Sequence, residues 1–181
     1  MRLFAGIALD DATRAACGKA VEELRRTGFS AKFEQVDKLH VTLAFLGNVD
    51  PSQSTGVVDA LESTAAGTAP FEFLLDKVGA FPNERKPRIV YVGAREQGRA
   101  FRVLSARLRA AYRDLGFTFK DDAVAHVTIA RVKDPRRPLP LIDAGPAVLP
   151  VTTLTLFESI HDKTKNTSRY VISATSELRG A

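Results

Sequence analysis

The sequence predicts a chain of mixed helices and strands, built as two copies of one strand-helix-strand-strand unit that face each other across a cleft. Three observations predict it. The tripeptide His-Val-Thr occurs twice, as His40-Val41-Thr42 and His126-Val127-Thr128, and uses two of the three histidines in the chain. Each copy opens an apolar, β-branched run that reads as a strand. Each is also preceded by a strand, a helix closing on Arg-x-x-Gly-Phe (Arg25 to Phe29, Arg113 to Phe117) and a short strand. The helix stripes align too, with Ala16, Ala20 and Leu24 against Leu104, Leu108 and Tyr112. Two such units about a pseudo-two-fold bring equivalent strands, and so equivalent histidines, to one cleft. The chain is expected to be a single domain over residues 1–181, made of two pseudo-symmetric lobes.

Taken in order, residues 3–9 form the first strand. Asp10 and Asp11 cap the helix that follows, whose inner stripe is Thr13, Ala16/Cys17, Ala20/Val21 and Leu24. Arg25 and Arg26 suit its last turn and Gly28 ends it. Residues 31–36 form a strand, and 39–46 the strand of the first motif. Gly47-Asn48 turns the chain, and Asp50-Pro51 starts a helix over 52–66 with Val57/Val58, Leu61 and Ala65 inward. A strand over 70–79 and a basic loop over Phe81–Arg88 lead to the apolar strand Ile89–Gly93. The helix over 98–115 has the clearest amphipathic pattern, in Phe101, Leu104, Leu108, Ala111/Tyr112 and Leu115, and Gly116 ends it. Residues 117–120 form a short strand and 124–132 the strand of the second motif. The proline-rich stretch 134–150 reads as an exposed loop. Strands at 151–160 and 168–175 close the chain as a hairpin around 163–167.

Bulk properties narrow the class. A chain of 181 residues can bury a sizeable core. No apolar run approaches the ~18 residues of a membrane span. The start runs into Asp10-Asp11 without a cleavage-like site, so it reads as a strand and not a signal peptide. The single cysteine, Cys17, excludes an internal disulfide and fits a reducing cytoplasm. It lies on the apolar side of a helix, as a small buried residue would. A net charge of +5 favours an anionic partner.

In a strand, residues i and i+2 share a face about 7 Å apart, at ~3.3 Å rise each. Each motif therefore offers one imidazole and one hydroxyl on one face. Histidine, with an ordinary pKa of ~6.5, exchanges protons near neutrality. Two of them flanking a scissile bond can serve as general base and general acid, which makes His40 and His126 the candidate catalytic pair. Thr42 and Thr128 suit the nonbridging oxygens of a phosphate. Arg131 can add a bidentate phosphate contact, although strict alternation from Thr128 turns it away from the cleft unless the strand bulges. His161 lacks the threonine and a repeat partner, and reads as a surface residue. No His pair spaced for zinc, Cys-x-x-Cys pair, glycine-rich phosphate loop or Gly-x-Ser-x-Gly elbow is present, so no metal and no cofactor is expected. Arg85, Lys86 and Arg88, with Lys133, Arg136 and Arg137, read as a basic rim for a polynucleotide backbone.

These residues resemble the 2H phosphoesterase superfamily, and within it the bacterial and archaeal RNA 2′,3′-cyclic phosphodiesterases, also called 2′-5′ RNA ligases. The resemblance covers nearly the whole chain. It includes Arg2-Leu3-Phe4, Lys38 to Leu43 with Phe45-Leu46-Gly47, Phe81-Pro82 with Pro87-Arg88, His126 to Arg131, Leu156 to Ser159, and Tyr170. Phe33 stands where the family usually has Trp, and Ala125 where it usually has Pro. The resemblance implies a bilobal α+β fold, with antiparallel sheets facing the cleft, helices outside and a metal-free site. It also implies opening of a 2′,3′-cyclic phosphate at an RNA end to a 2′-phosphomonoester, with His126 activating water and His40 protonating the departing 3′-oxygen. In reverse, the same pair would join ends through a 2′-5′ linkage. The expected partner is RNA with a cyclic phosphate end, and the expected protein a cytoplasmic monomer without membrane association. The alternatives are hydrolysis of a small cyclic phosphate (a cyclic nucleotide or ADP-ribose 1″,2″-cyclic phosphate) and an RNA-binding module without catalysis.

Overall fold

The computed structural model describes residues 1–162, 164 and 167–180. The chain runs β1 (Arg2–Ala8), α1 (Asp11–Arg26), β2 (Lys32–Phe33), β3 (His40–Asn48), α2 (Ser54–Ala66), β4 (Phe71–Leu75), β5 (Lys77–Phe81), β6 (Ile89–Gly93), α3 (Arg99–Asp114), β7 (His126–Arg131), β8 (Ala147–Val151), β9 (Thr153–Asp162) and β10 (Thr167–Glu177). The main sheet has the order β10-β9-β1-β3-β7-β6-β5, with β2 also paired to β7, while β4 and β8 pair apart from it. The strand pairs are antiparallel. The fold is α+β, as the sequence predicts. The two halves are continuous as a single sheet, joined between β3 and β7 at Val41 and Val127.

The helices form where their caps and stripes lead. The Asp10 carboxylate accepts from the Thr13 amide at 3.1 Å and starts α1. Gly28 at φ +71° and Gly116 at φ +93° follow the ends of α1 and α3 in a conformation that favours glycine. The buried faces are Thr13, Cys17, Ala20, Val21 and Leu24 on α1, and Phe101, Leu104, Ser105, Leu108 and Tyr112 on α3. Leu24 and Leu108 are fully buried, each contributing roughly 1.5–3 kcal/mol. The halves exchange these helices. The first unit's α1 packs on β7 and β8, and the second unit's α3 packs on β3. Arg25 lies 4.9 Å from the Phe33 ring and Arg113 5.6 Å from the Phe119 ring, so the repeat extends to the residues leading into each motif. No helix among the described residues is long and apolar enough to cross a membrane.

Several elements differ from the sequence reading. The strand expected over 70–79 breaks at Asp76, whose amide donates to the Gly93 carbonyl and whose carboxylate accepts from the Arg95 amide. Phe71–Leu75 then joins β8, and Lys77–Phe81 joins β6. The stretch expected to be loop over 134–150 ends in β8, with Leu149 and Val151 buried. Pro150 is tolerated there because β8 has one ladder neighbour. The strand expected over 117–120 does not form; the Arg109 side chain instead bonds the carbonyls of Leu43 and Asp121. The strand expected over 31–36 is reduced to β2, followed by a 3-10 turn at Val36–Lys38. The turn expected at Gly47-Asn48 lies inside β3, paired with Leu3 and Arg2. The closing hairpin forms, and of its expected turn Lys163, Lys165 and Asn166 lie outside the described residues.

Candidate active site

The site follows from the Val41–Val127 pair. Antiparallel register about that pair sets position 40 toward 128 and position 42 toward 126. The valines are buried on one face, so the flanking residues project from the other. His40, Thr42, His126 and Thr128 all line one cleft of about 360 Å³, together with Arg131, Glu34, Lys38 and Tyr170.

Each imidazole is held in the same way. His40 Nδ1 lies 2.7 Å from the carbonyl oxygen of Lys38, and His126 Nδ1 lies 2.8 Å from that of Val124. A carbonyl only accepts, so each Nδ1 carries its hydrogen and donates. Nε2 is then left as the working nitrogen of each ring. In neutral His40 it accepts from the Thr42 hydroxyl at 3.1 Å.

Aromatic rings wall both sites. His40 lies 4.8 Å from the Phe4 ring, 5.3 Å from Tyr170 and 5.5 Å from Phe157. His126 lies 5.2 Å from Phe81 and 5.5 Å from Tyr91. Burial pushes both histidines below their ordinary pKa. For His40, the Lys38 carbonyl and the charge of Glu34 oppose burial, while His126 and Arg131 add to it. For His126, the Val124 carbonyl opposes and Arg131 adds.

Arg131 reaches the cleft because β7 bulges. Along β6 the register steps from Val90–Ala130 to Tyr91–Thr128, passing over Ile129. The extra residue re-phases the strand, so Thr128 and Arg131 line the same cleft. β3 bulges at the matching place, where the register steps from Ala5–Ala44 to Gly6–Thr42 and passes over Leu43. Arg131 Nε donates to Glu34 Oε1 at 2.9 Å.

The remaining candidates fall elsewhere. His161 is exposed on β9 and does not line the cleft. Cys17 is buried, which pushes its thiol up to about 12 and away from nucleophile chemistry. Among the described residues, no group of three or more His, Cys, Asp or Glu converges to hold a metal ion. The two basic clusters are brought together beyond Arg131. The Val132 amide donates to the Arg88 carbonyl, and the Leu139 amide to the Glu84 carbonyl. Within that rim Arg136 is paired with Asp134.

The sequence reading missed Glu34 and most of the aromatic wall. Phe4, Tyr91 and Phe157 reach the histidines through strand register, which the sequence does not display. A signal for Glu34 did exist. It lies six residues before His40, where the repeat places Lys120 six before His126.

Comparison with known proteins identifies the family. The model of the LigT-like phosphoesterase family matches residues 7–91 and again 92–165, one stretch for each motif. The RNA 2′,3′-cyclic phosphodiesterase of Methanothermobacter thermautotrophicus is 32% identical over 136 residues, 75% of this chain and 73% of that protein. The protein of the same name from Archaeoglobus fulgidus is 34% identical over 134 residues, 74% of this chain and 73% of that protein. The crystal structure of TT0787 of Thermus thermophilus superposes with a TM-score of 0.83 at 27% identity, covering 99% of each chain. With both halves matched, each by a stretch that contains one His-Val-Thr strand of the cleft, the chain belongs to the LigT-like phosphoesterase family.

Proposed function

We propose that this protein hydrolyses the 2′,3′-cyclic phosphate at an RNA end to a 2′-phosphomonoester, by paired histidine acid and base catalysis within one two-lobed domain. The observation that carries the reading is the matched pair of imidazoles, each fixed through Nδ1 and each lining one cleft with a threonine hydroxyl. The names of the relatives support the substrate class.

In this mechanism His126 Nε2 takes a proton from water as its oxygen attacks phosphorus. The bond from phosphorus to the 3′-oxygen breaks, and that oxygen takes a proton from protonated His40. Thr42 and Thr128 donate to the nonbridging oxygens as charge grows on them. Arg131 meets the same charge through its terminal nitrogens, since Nε is held by Glu34. With a 5′-hydroxyl in place of water as the attacking group, giving its proton to His126 as the 3′-oxygen departs, the same pair joins a cyclic phosphate end to it through a 2′-5′ linkage. The basic rim beyond Arg131 is suited to carry the polynucleotide backbone away from the cleft.

The test is product analysis on a short RNA ending in a 2′,3′-cyclic phosphate, with EDTA present. A 2′-phosphate product is expected. A 3′-phosphate, or no turnover, refutes the reading. The cleft, at about 360 Å³, is at the small end of ligand pockets, which favours small cyclic phosphates as the second reading. Equal kcat/KM on a cyclic mononucleotide and on the oligonucleotide would support that second reading against the first.

A further inference from the structure

The two histidines sit in near-identical settings, yet the proposed reaction needs one protonated and the other neutral. Something asymmetric has to assign those roles. The cleft contains one carboxylate, Glu34, among cationic and neutral neighbours. It follows β2, and its amide donates to the Ile129 carbonyl at 2.9 Å, so the backbone of the bulged strand β7 fixes its position. Its side chain is mostly buried, 22% exposed, and accepts from Arg131 Nε at 2.9 Å. By the repeat its counterpart is Lys120, which has the opposite charge, is exposed and does not line the cleft. At this position the two halves therefore differ in both charge and placement.

We propose that Glu34 is a positioning residue that breaks the symmetry of the cleft, holding Arg131 in place and leaving His40 as the histidine that carries the proton. This rests on the proposed acid and base chemistry. The charged and titratable groups facing His40 are Arg2 from β1, Lys38 from the preceding turn, His126 and Arg131 from β7, and Tyr170 from β10, with Glu34 the single anion among these lining residues. Glu34 favours the protonated form of His40, whereas at His126 the charge that acts is Arg131, which favours the neutral form. That division acts in the same sense as the order the resemblance implies, an acid at His40 and a base at His126. Arg131 alone would not produce it, because its charge disfavours protonation of both rings.

Two substitutions separate the parts of this role. Glu34→Gln keeps an oxygen to accept from Arg131 Nε but removes the charge. Glu34→Ala removes both. Glu34→Asp retains the charge and serves as the rescue. The readout independent of turnover is NMR titration of the imidazole resonances in the whole protein, assigned through His40→Gln and His126→Gln. In Glu34→Gln, His40 is expected to titrate at lower pH while His126 stays in place, with Glu34→Asp returning His40 toward the parent value. An unmoved His40, or an equal downward shift of both rings, overturns the proposal. The kinetic counterpart uses RNA ending in a 2′,3′-cyclic phosphate. Glu34→Gln is expected to move the alkaline limb of the kcat profile to lower pH with KM little changed. Glu34→Ala is expected to raise KM as well, several-fold. A shift confined to the acidic limb assigns the roles the other way and overturns the proposal. Absence of turnover in the parent protein refutes the functional reading, and the NMR titration then still decides whether Glu34 sets the proton affinity of His40.

Discussion

Val41 lies directly across from Val127, and this pair, the central residue of each tripeptide, is where strand β3 meets strand β7. The pairing of β3 with β7 therefore runs through the motifs themselves. Histidine and threonine of one strand lie beside threonine and histidine of the other. The helix exchange protects that relationship. Each motif strand is backed by the other unit's helix, α1 on β7 and α3 on β3, so the halves cannot separate without opening both buried faces.

The imidazoles carry the first prediction. His40→Ala and His126→Ala are each expected to lower kcat by roughly 10²–10⁴-fold on RNA with a cyclic phosphate end. The double variant is expected to lose little more than either single one, because the two act as a unit. Steady-state rates at one pH check this. Full activity in either single variant refutes the paired mechanism.

Arg131 carries the second. Its guanidinium gives Nε to Glu34, and the residue lines the cleft. Lysine cannot keep that fork. Arg131→Lys is expected to lower kcat/KM by about 10- to 100-fold, the scale of a lost hydrogen bond to a charged group. The loss should appear in kcat as well as in KM, and unchanged kinetics would show that the bulge at Ile129 has no part in placing a phosphate contact.

How much of this was legible in the sequence depends on which step is asked about. The tripeptides, the helix stripes and the Gly-Phe turns are local patterns with fixed periods, and they gave the repeat and the four central side chains. The placement of Arg131 was not legible, because a strict period of two turns it outward and the bulge that re-phases it arises in pairing with β6. The break at Asp76 was hidden for the same reason. Phe71–Leu75 and Lys77–Phe81 read as one strand until their different partners are known. β8 was hidden by Pro150 and the prolines before it, and its edge position accommodates Pro150. Glu34 is a polar residue in an otherwise ordinary stretch; its one sequence signal is the opposite charge of Lys120 at the matching place of the repeat, and the ion pair and the cleft give that signal meaning.

The third prediction concerns stability and pH. Burial holds His40 and His126 below their ordinary pKa in the folded protein. The unfolded chain, with histidines near ~6.5, then binds more protons on acidification. Stability therefore rises with pH in this window. The contribution of the two rings is fully present above ~6.5 and is lost as pH falls from there toward the folded values. Urea midpoints at pH 7.5 and pH 5.5 test it. The parent is expected to lose more on acidification than the His40→Gln/His126→Gln double variant, since carboxylate effects are common to both. Equal losses would mean that the rings are not desolvated in the fold.

The last prediction concerns the backbone behind the first motif. Gly6 in β1 pairs with Thr42 beside the bulge at Leu43. A Cβ built there would collide with the Val41 carbonyl oxygen, closer than real side chains come. The neighbour is main chain, and Val41 pairs with Val127 where β3 meets β7. It cannot move aside without shifting His40 and Thr42 with it. Gly6→Ala is therefore expected to destabilise the fold by about 1–3 kcal/mol, the usual range for forced overpacking. The folded fraction should also show reduced kcat, since the displaced strand carries the proposed acid. Gly28→Ala is the control. Its added Cβ meets nothing within 4 Å, although its φ of +71° carries conformational strain. It should cost stability but leave kcat unchanged. If Gly6→Ala behaves in the same way, the close approach of β1 to Val41 is not what holds the first motif in place.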